Sequence, residues 1–316
     1  MMRPERNFNR IKVHPIAGSL GAEIEGVSDL KAMDAETHAE VRQAWLDNMV
    51  VFFRDQTFDL AEFDAMAAKF GKATITFYVK PMAGTKYLSQ LVRKAETKAN
   101  LRNYGDRWHM DQTIRQNPNS GFLLYSKVCP PYGGDTMFSN LQIAYDNLSP
   151  GMQALCDRLI VIHTASGLYG KGGDGAGGSK SMAKQGSENH FNITQDELAK
   201  YLANETEQPL VRVHPETGKK GLFLAGDYCT RFKDMTEAES RPLIDYLQRW
   251  IERPEFTCRF RWSQGAVALI DNRCLQHIAL NDYSGFEREM WRTEFEDSGR
   301  PYGPAMPLEN AQQAAE

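Results

Sequence analysis

The chain has 316 residues, 41% of them hydrophobic and 25% charged, with 37 basic against 41 acidic side chains and a formal net charge of −4. That length allows one large or two small domains and a real core without disulfide or metal staples. The acidic balance argues against a nucleic-acid binder or a membrane-surface binder, which needs a basic face.

No apolar run approaches the roughly 18 residues of a membrane helix, and the N-terminal stretch MMRPERNFNRIKV has no apolar h-region of a signal peptide. The five cysteines (Cys129, Cys156, Cys229, Cys258 and Cys274) are odd in number and form no CxxC, so free thiols in a reducing cytoplasm are expected. With no repeat and no long linker, residues 1–302 read as a single domain and 303–316 as a flexible tail.

In chain order, Gly21-Ala-Glu-Ile-Glu-Gly-Val27 reads as a strand and turn. Residues 34–48 read as an amphipathic helix with Val41, Ala44 and Trp45 on one side. Asn48–Phe53 suits a buried strand. Residues 59–70 place Leu60, Phe63, Met66, Ala67 and Phe70 at helical spacing, with Gly71 as the stop. From about residue 100 short strand-like runs separated by turn signals take over, at 121–125, 136–138, 159–162, 210–213, 221–224, 256–262, 266–270 and 290–295. In the run at 256–262, Phe256, Cys258, Phe260 and Trp262 alternate with polar residues, the mark of a strand with one buried face. Many short strands point to a barrel or double sheet. Helix starts are marked by Ser149-Pro150 and by the capping boxes Thr194-Gln-Asp-Glu197 and Thr236-Glu-Ala-Glu239. The glycine-rich stretch from Ser166, within about 166–190, reads as a lid over a site. Its Gly170-Lys-Gly-Gly-Asp-Gly175 matches GxGxxG, but no helix opens there, as a dinucleotide site requires.

The chemistry centres on Trp108-His109-Met110-Asp111. In a strand, residues i and i+2 share a face about 6.6 Å apart, so an imidazole and a carboxylate there can reach one ion. A second histidine would complete the two-His-one-carboxylate set that suits Fe(II). The plain alternative is a hydrogen-bonded histidine in a polar strand. H-x-[DE] also occurs at His38, inside a predicted helix where i and i+2 diverge, and at His214, in a turn expected on the surface. His14, His163 and His190 read as satisfied core or surface residues. Further along, Asp271-Asn-Arg273 is followed by His277. Arg288 and Arg292 then lie four apart in a strand-like run, reading either as solvated charges on an edge strand or as an anion clamp inside a barrel. Tyr78, Arg102, Tyr104, Arg107, Arg115 and Trp291 are further pocket-lining candidates.

These blocks, in this order, resemble the TauD/TfdA family of Fe(II)- and 2-oxoglutarate-dependent dioxygenases. The likeness spans roughly residues 10–300. It is carried by Gly21–Val27, Val50-Val-Phe-Phe-Arg-Asp-Gln56, Phe70-Gly71, Trp108-His-Met-Asp-Gln-Thr113, Gly133-Gly-Asp-Thr136, His214-Pro-Glu-Thr-Gly218, Asp271-Asn-Arg273, His277 and Arg288-x-x-x-Arg292. The resemblance implies an α+β, mainly β fold: a double-stranded β-helix (jelly roll, cupin-like) core flanked by helices. It implies iron ligation by His109, Asp111 and His277. Thr136 and Arg288 would hold 2-oxoglutarate, and Arg292 would face the acidic end of a small organic substrate. The implied reaction consumes O2, releases succinate and CO2, and hydroxylates a C–H bond. A carboxylate at 111 favours hydroxylation over halogenation, because related halogenases keep that position small. Members often form dimers or tetramers.

The chain departs from the family pattern at Ile270, where Trp is usual before the Asp-Asn-Arg motif, and at Ala225, where Asn is common. It departs again at Thr76, where taurine-type enzymes carry a sulfonate-binding histidine. Thr76 and Tyr228 are taken as substrate-side positions, and the aryloxyalkanoate branch is the comparison for Tyr228. A different class, a non-catalytic or zinc-bearing jelly-roll protein or hydrolase, could use the same three ligands.

Overall fold

A computed structural model of the chain describes residues 6–76, 79–97, 105–165, 203–296 and 299–308, together with Thr194, Glu197, Lys200 and Tyr201. The glycine-rich stretch expected to form a lid lies outside the described residues, as do Tyr78, Arg102, Tyr104 and His190.

The chain opens with β1 (Lys12–Pro15) and β2 (Ala22–Glu25), then α1 (Ala35–Asn48) and β3 (Val50–Phe53). Asp34 caps α1 by accepting from the Thr37 amide, and Val41, Ala44 and Trp45 are buried as their spacing predicts. Next comes α2 (Leu60–Met66), started by a reciprocal Asp59/Glu62 capping box. The remaining strands are β4 (Lys72–Thr74), β5 (Ser89–Arg93), β6 (Asn119–Val128), β7 (Thr136–Asn140), β8 (Ile160–His163), β9 (Thr206–Pro209), β10 (Val211–Val213), β11 (Lys220–Leu222), β12 (Cys229–Phe232), β13 (Thr257–Phe260), β14 (Val267–Asp271), β15 (Leu275–Ala279) and β16 (Arg288–Glu296). Between them lie α3 (Leu141–Asp146), α4 (Pro150–Cys156) and α5 (Glu237–Ile251).

Two facing sheets form the core. The larger runs β1-β2-β3-β14-β6-β16-β4, with β5 also paired to β16, and the smaller runs β13-β7-β15. The two-residue period sorts the side chains of the larger sheet. Val51, Phe53, Leu123, Tyr125, Leu269, Trp291 and Phe295 pack outward against Val41, Trp45, Phe63 and Met66 of α1 and α2. Phe52, Phe122, Leu124, Ala268, Ile270 and Met290 point the other way and meet Phe138, Cys258, Phe260 and Leu275 of the smaller sheet. This is the expected jelly roll, with helices on its outer face. Ile270, which stands where the family usually has Trp, is fully buried in the inner layer.

A satellite core gathers α3, α4, α5 and the short strands, with Leu222, Cys229, Phe232, Ile244, Leu247 and Ile251 at its centre. Gly226 (φ +59°) brings this unit against the site: a Cβ there would stand 2.2 Å from the Trp108 carbonyl oxygen. No helix among the described residues is long and apolar enough to cross a membrane, and all five cysteines are free thiols. Three expectations need correction. His214 is buried, because its partner Asp271 comes from β14. Trp291 packs in the outer core and does not line a pocket. The chain is still held at Gly303, where the Val213 amide donates to the Tyr302 carbonyl and Gly303 bridges Met306, while residues 309–316 of the expected tail lie outside the described residues.

Candidate metal centre and active site

β15 pairs His277 with Phe138 of β7. Leu275 and Phe138 belong to the inner layer, so alternation turns His277 between the sheets, its ring 5.4 Å from that of Phe122. His109 meets His277 across an isolated antiparallel bridge, exchanging backbone hydrogen bonds of 3.1 and 2.9 Å, and the two rings stand 4.2 Å apart. The strand expected around His109 is therefore a single bridge, after which the backbone turns with Gln112 at φ +59°. Alternation does not set Asp111. Asn272 does: its Oδ1 accepts from the Asp111 amide and its Nδ2 donates to the Asp111 carbonyl, both at 2.9 Å.

One ligand atom from each of His109, Asp111 and His277 lies within 4.8 Å of the others. His109 Nε2 is 3.5 Å from Asp111 Oδ1, and His277 Nε2 is 3.6 Å from Asp111 Oδ2. His109 Nδ1 lies 2.7 Å from the Arg107 carbonyl, so Nδ1 carries the ring proton of the neutral imidazole. Its Nε2 lone pair then faces a carboxylate oxygen, an arrangement that needs a cation or a proton between them. Burial pushes His277 down to about 3, toward the neutral form that ligates metal. Burial alone would raise Asp111, but Arg292 and the two imidazoles outweigh it and hold its carboxyl well below the usual range. Arg292 Nη2 stands 3.0 Å from Asp111 Oδ2 in ion-pair contact, without the alignment of a hydrogen bond. The donor set, its depth and this leftover acceptor capacity fit a divalent ion.

Arg288 starts β16 on the inner face. It is 9% exposed, burial lowers its pKa, and its Nε has no hydrogen-bond partner among the described residues. Gly134 (φ +68°) lets the turn before β7 close over it: a Cβ there would stand 3.2 Å from Arg288 Cδ. Thr136, at the start of β7, is buried and accepts from Trp262 Nε1 at 3.0 Å, which leaves its hydroxyl proton to donate elsewhere. β16 pairs with β6 on one side and with β4 and β5 on the other, so Arg288 and Arg292 are interior and the edge-strand reading is excluded.

A family model described as Taurine catabolism dioxygenase TauD, TfdA family matches residues 12–293. The chain belongs to this family. An alpha-ketoglutarate-dependent sulfate ester dioxygenase of Pseudomonas putida is 35% identical over 274 residues, covering 86% of this chain and 85% of that protein. An alkylsulfatase of Acinetobacter baylyi is 31% identical over 284 residues, covering 90% and 84%. The solved structure of a taurine dioxygenase from Burkholderia xenovorans superposes with a TM-score of 0.74 at 32% identity, covering 94% of each chain. This TauD/TfdA chain is accordingly an enzyme, an oxidoreductase of the dioxygenase type.

The remaining predicted positions of this TauD/TfdA member divide. Arg292 stands over the Phe122 ring at 4.3 Å and binds Glu294 Oε1 through Nε at 3.0 Å. Thr76 is buried beside Glu294, 3.4 Å from each carboxylate oxygen, and accepts from Gln112 Nε2 at 2.7 Å. Tyr228, in contrast, packs against the satellite core, which also contains Met110. Arg107 pairs with Asp227 and Arg115 with Glu296. Sequence reasoning missed Glu294, although alternation from Arg292 places it on the same face. It also missed Gln112 and Tyr201, whose phenol is pushed by burial up to about 12 within reach of the charges of Arg115 and Glu294.

A second cluster of this TauD/TfdA chain, His214, Asp271 and Cys274, has ligand-like spacing too. Its carboxylate is already saturated. Arg273 reaches Asp271 through Nε and Nη2, each at 2.7 Å, and His214 Nε2 lies 3.0 Å away. Arg273 also meets Glu216 at 2.7 Å. The network anchors Asp271-Asn-Arg273, and through Asn272 it positions Asp111.

Proposed function

We propose that this chain is an Fe(II)- and 2-oxoglutarate-dependent dioxygenase that hydroxylates a C–H bond of a small organic substrate with an acidic group, releasing succinate and CO2. The observation that carries the reading is the buried convergence of His109, His277 and the Asp111 carboxylate, with one ligand atom of each within 4.8 Å of the others. His109, Asp111 and His277 would hold the metal. Bound Fe(II) supplies O2 activation and C–H oxidation with the cosubstrate as reductant. The chain's own groups do the rest. Arg288 and the Thr136 hydroxyl pair with the far carboxylate of 2-oxoglutarate, which would be very unfavourable buried without a partner. Asn272 fixes the Asp111 main chain. The Asp111 side chain fills the position that a halide would need, which directs the reaction to hydroxylation. The names of the sulfate-ester and alkylsulfate relatives support an acidic substrate.

The test is succinate formation from 2-oxoglutarate in air, with Fe(II), against a panel of sulfate esters, sulfonates, aryloxy acids and amino-acid derivatives. Succinate that forms with Fe(II), and faster with one class, is the expected result. A protein that makes none with any panel member, yet retains zinc, is the binding protein or hydrolase of the alternative reading.

A further inference from the structure

Glu294 shares the inner face of β16 with Arg288, Met290 and Arg292 and is 4% exposed. It lies one guanidinium away from the proposed metal ligands: Arg292 Nη2 is 3.0 Å from Asp111 and Arg292 Nε is 3.0 Å from Glu294. With Asp111 taken up as a metal ligand, Arg292 still has Glu294 to answer, so a substrate anion placed against Arg292 would stand beside a buried carboxylate.

The neighbouring polar groups add to these acceptors. Gln112 Nε2 donates to Thr76 Oγ1 at 2.7 Å, and the single hydroxyl proton of Thr76 goes to Glu294 at 3.4 Å. With Glu294 ionised, that relay orients the Gln112 amide, since the Thr76 hydroxyl proton is already used and a flipped amide would set two acceptors against each other. Gln112 Oε1 is left as a buried acceptor without a partner among the described residues. Buried acceptors of this kind are normally met by a donor.

We infer that Glu294 is a specificity-determining residue, which with Gln112 Oε1 reads a hydrogen-bond donor, an ammonium or a hydroxyl, carried by the substrate beside its acidic group. The inference rests on the dioxygenase reading above. Matched pairs test it: a short alkyl sulfate or aryloxy acid, and the same molecule with an amino or a hydroxyl substituent next to the acidic end. Binding to the Fe(II)- and 2-oxoglutarate-loaded protein is measured by calorimetry without oxygen, and succinate formation is then measured in air. The substituted members should bind roughly ten- to a hundredfold more tightly, the range of a hydrogen bond to a charged group, and the two arms separate ammonium from hydroxyl. The Glu294→Gln variant, nearly the same shape without the charge, should lose the preference for the amino member and gain affinity for the unsubstituted acid. The comparison within the wild type decides the matter even if that variant does not fold. Equal binding across each pair, or an unchanged preference in Glu294→Gln, overturns the role of Glu294 and leaves the dioxygenase reading intact. Absence of succinate under every condition overturns that reading itself.

Discussion

Two buried histidine–carboxylate clusters sit on either side of Asn272, and they differ in whether their charges are already answered. Around Asp271, Arg273 and His214 occupy both oxygens, and Glu216 takes the outer side of the guanidinium. Around Asp111, two imidazole nitrogens face the two carboxylate oxygens, one each, at 3.5 and 3.6 Å, with Arg292 alongside. Residue types and spacing alone would nominate both clusters for metal. Completing the count of donors and acceptors leaves one of them as a structural lock and the other as a centre with room for a cation or a proton.

The largest effects should break this contrast. Asp271→Ala leaves Arg273 Nε and Nη2 and His214 Nε2 without their shared carboxylate in the core, and the loss of one partner from such a buried pair costs roughly 3–5 kcal/mol. Its melting temperature should fall steeply. Asp111→Ala should abolish turnover while the metal-free protein melts near the wild type, because Arg292 keeps Glu294. Equal melting losses in the two variants would erase the distinction. Arg288→Ala removes the buried cation of the proposed cosubstrate end, with a similar penalty of roughly 3–5 kcal/mol expected on 2-oxoglutarate binding and none on the metal alone. Cosubstrate titration by calorimetry reads it, and an unchanged affinity would move 2-oxoglutarate elsewhere. Asn272→Ala loosens Asp111 without touching a ligand. Metal affinity should weaken roughly ten- to a hundredfold, as for other groups that orient ligands, and retention of full affinity would leave Asn272 a purely structural role.

A fourth histidine, outside both clusters, extends the comparison to a gradual, pH-dependent effect. His163 lies between Phe223 and Cys229, and burial pushes it down to about 3. The unfolded histidine takes up a proton near pH 6.5 that the folded one refuses. Stability from this group is therefore complete above that pH and is lost as pH falls toward 3, with a slope of at most roughly 1.4 kcal/mol per unit. His163→Gln should flatten the acid limb of chemical denaturation profiles. A profile that steepens would contradict the assignment.

Much of this was legible in the chain itself, for a physical reason. Alternation identifies a strand with one buried face, as in β13, and a short apolar run identifies one buried on both, as in β3 and β6; the two-residue period would also have delivered Glu294 from Arg292. Local patterning is blind to partners far along the chain. His214-Pro-Glu216 reads as a surface turn because its burial depends on Asp271, 57 residues away. β4 and β5 are short and only partly buried, and carry too little apolar contrast to announce themselves. At His109 the predicted neighbourhood was right and the predicted mechanism wrong, since a side-chain amide from β14's end, and no strand period, holds Asp111 in place.

The most direct test is a ferrous titration of the purified protein under anaerobic conditions with 2-oxoglutarate present, read by bound metal and by the weak visible charge-transfer band of the ternary complex. The account predicts one ion per chain and the band in the wild type, with both lost in His109→Ala and His277→Ala and both retained in Cys274→Ala. A stoichiometric ferrous ion that persists without His109 and His277, or that disappears with Cys274, would contradict it.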